Sequence, residues 1–107
     1  MLNLTVETFH AERQKPGHLV VDFWGVWCPP CKAMNPILDK VAAAFPGVTF
    51  AKVNSTENPE LVEEYKVQAI PAFILFKDGE VVHRWSGLMN DADFGAVLTQ
   101  NGVTREN

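Results

Sequence analysis

Two hydrophobic patterns take turns along the chain. The first is an unbroken apolar run: HLVVDFW at 18–24 and VTFAKVN at 48–54 are rich in β-branched and aromatic residues. Such runs mark strands covered on both faces, at the centre of a sheet. HLVVDFW carries one acid, Asp22, which burial of the strand would enclose. The second pattern steps by three or four residues. Met34, Ile37, Leu38, Val41, Ala42 and Phe45 fall on one face of a helix predicted from Cys31 to Phe45, with Pro36 expected to kink it.

Local signals supply the remaining elements. LNL at 2–4 reads as a short strand, and Thr5 as the cap of a helix over 6–15 that Pro16 and Gly17 stop. Asn58-Pro59 reads as a cap and first-turn proline for a short helix reaching Tyr65 or Lys66. FILFK and EVVHRW flank Asp78-Gly79, a strong hairpin signal. A last helix begins near Asn90, with Asp93 three residues on, turns Phe94, Val97 and Leu98 inward, and fades at Asn101-Gly102. The predicted order is β-α-β-α-β-α-β-β-α, an α/β chain with a mixed central sheet flanked by helices on both faces.

Composition narrows the role. With 107 residues and 47% hydrophobic content, residues 1–107 are read as a single domain with one core. A net charge of −4 from 13 acidic and 9 basic residues, without a basic stripe, leaves no footprint for nucleic acid or an anionic membrane. The longest apolar runs, such as LVV at 19–21 and AFIL at 72–75, fall far short of the roughly 20 residues that span a bilayer. The segment MLNLTVETFHAERQ lacks a basic start, an apolar stretch and a small-residue cleavage site, so the expectation is a soluble cytoplasmic protein.

The candidate chemistry lies in WGVWCPPCK at 24–32, where both cysteines of the chain share one tetrapeptide. A disulfide stabilises chiefly by closing a long loop, which this spacing does not do. Structural zinc needs about four N or S ligands. Beyond the two cysteines, only His10, His18 and His83 are on offer, without metal-ligand spacing, so neither a metal nor a cofactor is expected. A thiol pair at a helix start fits better. Free N–H groups and positive potential there favour a thiolate, with Cys28 at the exposed edge as nucleophile and Cys31 one turn in as resolving thiol.

The strings VDFWGVWCPPCK, NPIL, AKVNSTENP, AIPAFILFKDGEVV and SGL, in that order over nearly the full length, resemble thioredoxin. The resemblance implies the thioredoxin fold and reduction of protein disulfides, Cys28 attacking and Cys31 resolving. It makes Asp22 the buried aspartate that serves, through water, as base for the second thiol, and Lys52 the lysine beside it. An acid in an apolar strand is independently expected to have a raised pKa, suited to proton transfer near neutrality. The plainer alternative has Asp22 capping nearby backbone. Pro71 takes the position of the family's cis-proline, and Ile70 would offer its backbone to an extended substrate. Trp27, Ile70, Gly87 and Leu88, with Pro29 and Pro30, form the implied substrate-facing patch. Trp24 is read as packing, and Trp85 as packing or contact. The implied partners are disulfide-containing proteins and a thioredoxin reductase or similar electron donor, with the chain acting as a monomer.

Departures from the family pattern bear on potency and partners. Pro29-Pro30 replaces the commoner Gly-Pro, as in tryparedoxin and nucleoredoxin; Ala72 stands for a frequent Thr and Thr56 for a frequent Asp. Pro29 has no N–H, and Pro30 disfavours all but extended conformations for it. The expectation is a stiffer loop and a thiolate stabilised no better than with Gly-Pro, hence a reductant. Two other readings are a specialised peroxidase-reducing or isomerase-like relative with a dedicated partner, and a non-catalytic interaction subunit with idle cysteines.

Overall fold

The two apolar runs form the sheet's central strands with the predicted limits. In the computed structural model, which describes residues 1–105, they are β2 (His18–Trp24) and β3 (Val48–Asn54). They pair in parallel, and β1 (Leu2–Leu4) extends the parallel part along β3. On the other side β4 (Ala72–Lys77) runs antiparallel to β2, and β5 (Glu80–Ser86) antiparallel to β4, giving the order β1-β3-β2-β4-β5. The turn joining β4 to β5 is Asp78-Gly79, both with positive φ (51° and 86°). Turns of that hand match the twist of the strands they join.

Alternation along β2 sends its side chains to two cores. Leu19, Val21 and Phe23 join Phe9 of α1 (Val6–Arg13) and Leu61 of α3 (Pro59–Glu64). Val20 joins Met34, Leu38 and Val41 of α2 (Pro29–Ala44), and Phe94 and Leu98 of α4 (Asp91–Gln100). The sheet is therefore mixed, with helices on both faces. Asp22, two residues beyond Val20, lies on the α2 face by the same alternation.

The structure moves several boundaries. α2 starts at Pro29, two residues before the predicted Cys31, and takes Cys28 as its N-cap. A helix's first positions have no intrahelical acceptor for their N–H groups, so two prolines there lose no ladder bond. Pro29 is thus helical, not extended, and the dipeptide belongs to the helix's first turn and not to a loop. The helix continues through Pro36. α1 ends at Arg13 instead of residue 15, and α3 at Glu64. Asn90 caps α4 as expected, its Oδ1 accepting from the Asp93 N–H at 2.8 Å, while Val97 is only half-buried. Asn58 is the N-cap of α3 as expected, with Pro59 in the first turn, but its side chain makes no capping bond. Its buried side chain accepts from the Val6 N–H (3.0 Å) and donates to the Asn54 carbonyl (3.0 Å), tying the start of α1 to the loop after β3.

Candidate functional site

The C-terminal end of β2 runs through Gly25 into the first turn of α2, and this delivers both cysteines to one place. They are disulfide-bonded, with Cα atoms 5.2 Å apart. As N-cap, Cys28 uses its carbonyl to accept the Lys32 N–H (3.1 Å) and its Sγ to accept the Cys31 N–H (3.2 Å). Pro29 and Pro30 have no N–H to give, so the Cys31 amide is the first in α2 able to reach the sulfur. Cys28 is 6% exposed and Cys31 2%, so Cys28 is the outer sulfur but does not stand at an open edge, as had been expected. Its surroundings are Val26, Trp27, Pro29 and Lys32, with Trp27 93% exposed beside it.

The loop before β4 forms the neighbouring wall. The Ile70–Pro71 bond is cis. The Pro71 carbonyl accepts the Gly87 N–H at 2.9 Å, and Gly87 takes φ +98°, a conformation that favours glycine. Exposed Leu88 follows it directly. Gly25 holds this wall close to the cysteines. A Cβ added to it would lie 2.7 Å from Ile70 Cδ1 and 3.9 Å from Cys28 Cβ. Gly25 thus brings Ile70 and Cys28 to one place, and the Gly87–Pro71 bond ties the segment of Gly87 and Leu88 to the same loop.

Two residues before the end of β2, on the face that packs α2, lies the acid. Asp22 is 1% exposed and neither carboxylate oxygen has a hydrogen-bond partner, so it caps no backbone. Burial raises its pKa to about 7, with the nearby Lys52 charge pulling the other way. Lys52 is the register partner of Asp22 on β3, as the resemblance implied, yet no hydrogen bond joins them. The ammonium instead donates to Asn35 Oδ1 at 2.8 Å and sits 5.1 Å over the Trp24 ring. Trp24 is therefore packing that also holds a cation. Trp85 packs as well, stacked on Phe73 and His83 and edge-on to Phe94.

Gly25 and Asn35 went unrecognised in the sequence. Asn35 was open to detection by its spacing, four residues after Cys31 on the same helical face. Gly25 carried no comparable signal, because its contact is with a loop 45 residues away. Among the described residues, no group of three or more His, Cys, Asp or Glu is gathered as a metal site.

Comparison with known proteins agrees with this geometry. The thioredoxin family profile matches residues 1–100. A thioredoxin of Chlamydia pneumoniae is 47% identical over 78 residues, covering 73% of this chain and 76% of its own length. One from Chlamydia muridarum (strain MoPn / Nigg) is 39% identical over 101 residues, 94% of this chain and 99% of its own. A solved chain, from work on the thiol resolving mechanism of yeast mitochondrial 1-Cys peroxiredoxin via glutathione/thioredoxin systems, superimposes with a TM-score of 0.86. It is 33% identical and covers 94% of both chains.

Proposed function

Because the chain belongs to the thioredoxin family, and so is a thiol–disulfide oxidoreductase, we propose that it reduces disulfides in other proteins, with Cys28 attacking and Cys31 resolving. The observation that carries this reading is the Cys28 sulfur at the N-cap of α2, accepting the Cys31 N–H beside an exposed tryptophan.

In the dithiol form the Cys28 thiolate attacks one sulfur of a substrate disulfide. That S–S bond breaks, and the second substrate sulfur leaves as a thiolate that takes a proton. The Cys31 thiol then gives up its proton, attacks the Cys28 Sγ and expels the first substrate sulfur. Two electrons have passed to the substrate, and the chain carries the Cys28–Cys31 disulfide. Asp22 accepts the Cys31 proton; its burial, free oxygens and pKa of about 7 support that role, since a base titrating near the working pH transfers protons best. Lys52 tunes it. The surface of Trp27, Pro29, Pro30, Ile70, Pro71, Gly87 and Leu88 receives the substrate chain, with the outward face of the cis-proline loop as its backbone contact.

A thioredoxin reductase or similar donor returns the disulfide to the dithiol. We further place the protein in the cytoplasm as a monomer, acting as one domain over residues 1–107 in electron transport to protein disulfides and in cell redox homeostasis. Support comes from the family match along residues 1–100 and from the lack, among the described residues, of a helix long and apolar enough to cross a membrane.

Insulin reduction tests this. Turnover is expected with either dithiothreitol or thioredoxin reductase as donor. Activity with dithiothreitol alone would point to a dedicated donor and a specialised role, and activity with neither would leave the interaction-subunit reading.

A further inference from the structure

A buried carboxylate with both oxygens free, and an ammonium at the register-paired position of the next strand, have reason to close into an ion pair, because the carboxylate is shut off from bulk solvent. Asp22 and Lys52 do not. Two other groups occupy the ammonium: the Asn35 amide oxygen at 2.8 Å and the Trp24 ring at 5.1 Å. Asn35 stands one turn beyond Cys31 on α2, so the helix that carries the resolving thiol also carries the lysine's anchor.

We propose that Asn35 is a positioning residue for the resolving half-reaction: by holding the Lys52 ammonium against α2 it withholds that charge from Asp22 and leaves the carboxyl free to exchange a proton with Cys31. This rests on the reading of Asp22 as the base for Cys31. Lys52 on β3 is the charge that acts on Asp22. Its register neighbour on β4, Phe73, is uncharged, and α4 contributes Phe94 and Leu98 to that core. On α2, Cys28 and Cys31 titrate only in the dithiol form.

Three variants separate the possibilities: Asn35→Ala, Asn35→Asp and Lys52→Met. Asn35 is exposed, so folding is expected to survive its replacement. In each, the Asp22 carboxyl is titrated by ¹³C NMR in the disulfide form. The resolving step is followed against pH by release of thionitrobenzoate from its mixed disulfide with Cys28. Asn35→Ala lets Lys52 swing to Asp22, lowering its titration midpoint by about one pH unit, and the midpoint of the resolving step follows. Asn35→Asp keeps an acceptor for the ammonium and leaves both midpoints at or above those of the parent. Lys52→Met raises both. If Lys52→Met raises the midpoints while Asn35→Ala leaves them in place or raises them, the role of Asn35 is refuted and the role of Asp22 stands. If the resolving step ignores the Asp22 midpoint in all three, both are refuted.

Discussion

The two faces of the central sheet are made by the same strands and serve different ends. Toward α1 and α3, the inner strands present Leu19, Val21, Phe23, Ala51, Val53, Ile74 and Phe76, and the edge strand β5 adds Arg84, whose guanidinium donates to the Tyr65 carbonyl at the end of α3. Toward α2 and α4, the apolar pattern of Val20 and Phe50 gives way further along to Asp22 and Lys52, at the strand ends that lead toward the start of α2. One face is an apolar core along its inner strands, with its polar group at the sheet edge. The other is a core at one end and at the other encloses an unpaired acid, the group proposed above as the base for Cys31, whose burial costs stability.

That contrast breaks if substitutions on the two faces have interchangeable effects. The largest stability effect belongs to the apolar face. Phe9, fully enclosed against Tyr65 and Phe76, should cost about 3–5 kcal/mol when changed to Ala, seen as a lower urea midpoint, while insulin reduction per folded molecule persists.

Asp22→Asn should do the reverse. Between the ordinary pKa near 3.8 and the native value of about 7, the folded protein binds a proton that the unfolded chain does not. Its stability therefore falls as pH rises through that window, by up to about 4 kcal/mol in the disulfide form. The Asn variant lacks this slope. The gap between the two should widen from pH 4 to pH 7 and then stay constant, as denaturant unfolding at several pH values will show, while the resolving step slows. A parallel pair of stability curves would mean that Asp22 is not held protonated.

Smaller effects sharpen the picture at the site's rim. A Cβ at residue 25 would meet the far end of the Ile70 side chain, so Gly25→Ala should push Ile70 outward. The KM for a protein substrate is expected to rise a few-fold, with kcat and melting temperature nearly unchanged. Pro29→Gly should matter least to chemistry. Pro29 and Pro30 are the first two helical residues, where caps usually look to the second and third N–H groups, and Pro30 stays. The variant should lose about 0.5–1 kcal/mol through its looser unfolded chain. Its Cys28 thiolate pKa, read by thiolate absorbance, should shift by less than about 0.5 unit.

Much of this was legible in the chain. The central strands, the hairpin turn and the inward face of α2 followed from periodicity, because burial on both faces or on one stripe dictates those patterns directly. The cysteine pair and the enclosure of Asp22 were legible for the same reason: each lies within a strongly patterned segment. What the sequence concealed was contact across segments. The cis bond before Pro71 came from resemblance alone, since local preference favours trans. The start of α2 was misjudged because two prolines look like a helix breaker, whereas at the first turn they forfeit no ladder bond. Asn58 is the N-cap of α3, yet its side-chain oxygen serves the Val6 N–H on a distant helix, a contact no local signal announced.

The division of labour between the two sulfurs can be read directly from trapped intermediates. Cys31→Ser and Cys28→Ser variants, mixed with a peptide disulfide and quenched with acid, are to be compared by mass spectrometry. Accumulation of a mixed disulfide on Cys28 in the Cys31→Ser protein, with little adduct in the Cys28→Ser protein, is the predicted result. Equal or faster adduct formation through Cys31 in the Cys28→Ser protein would contradict the assignment of Cys28 as the attacking thiol.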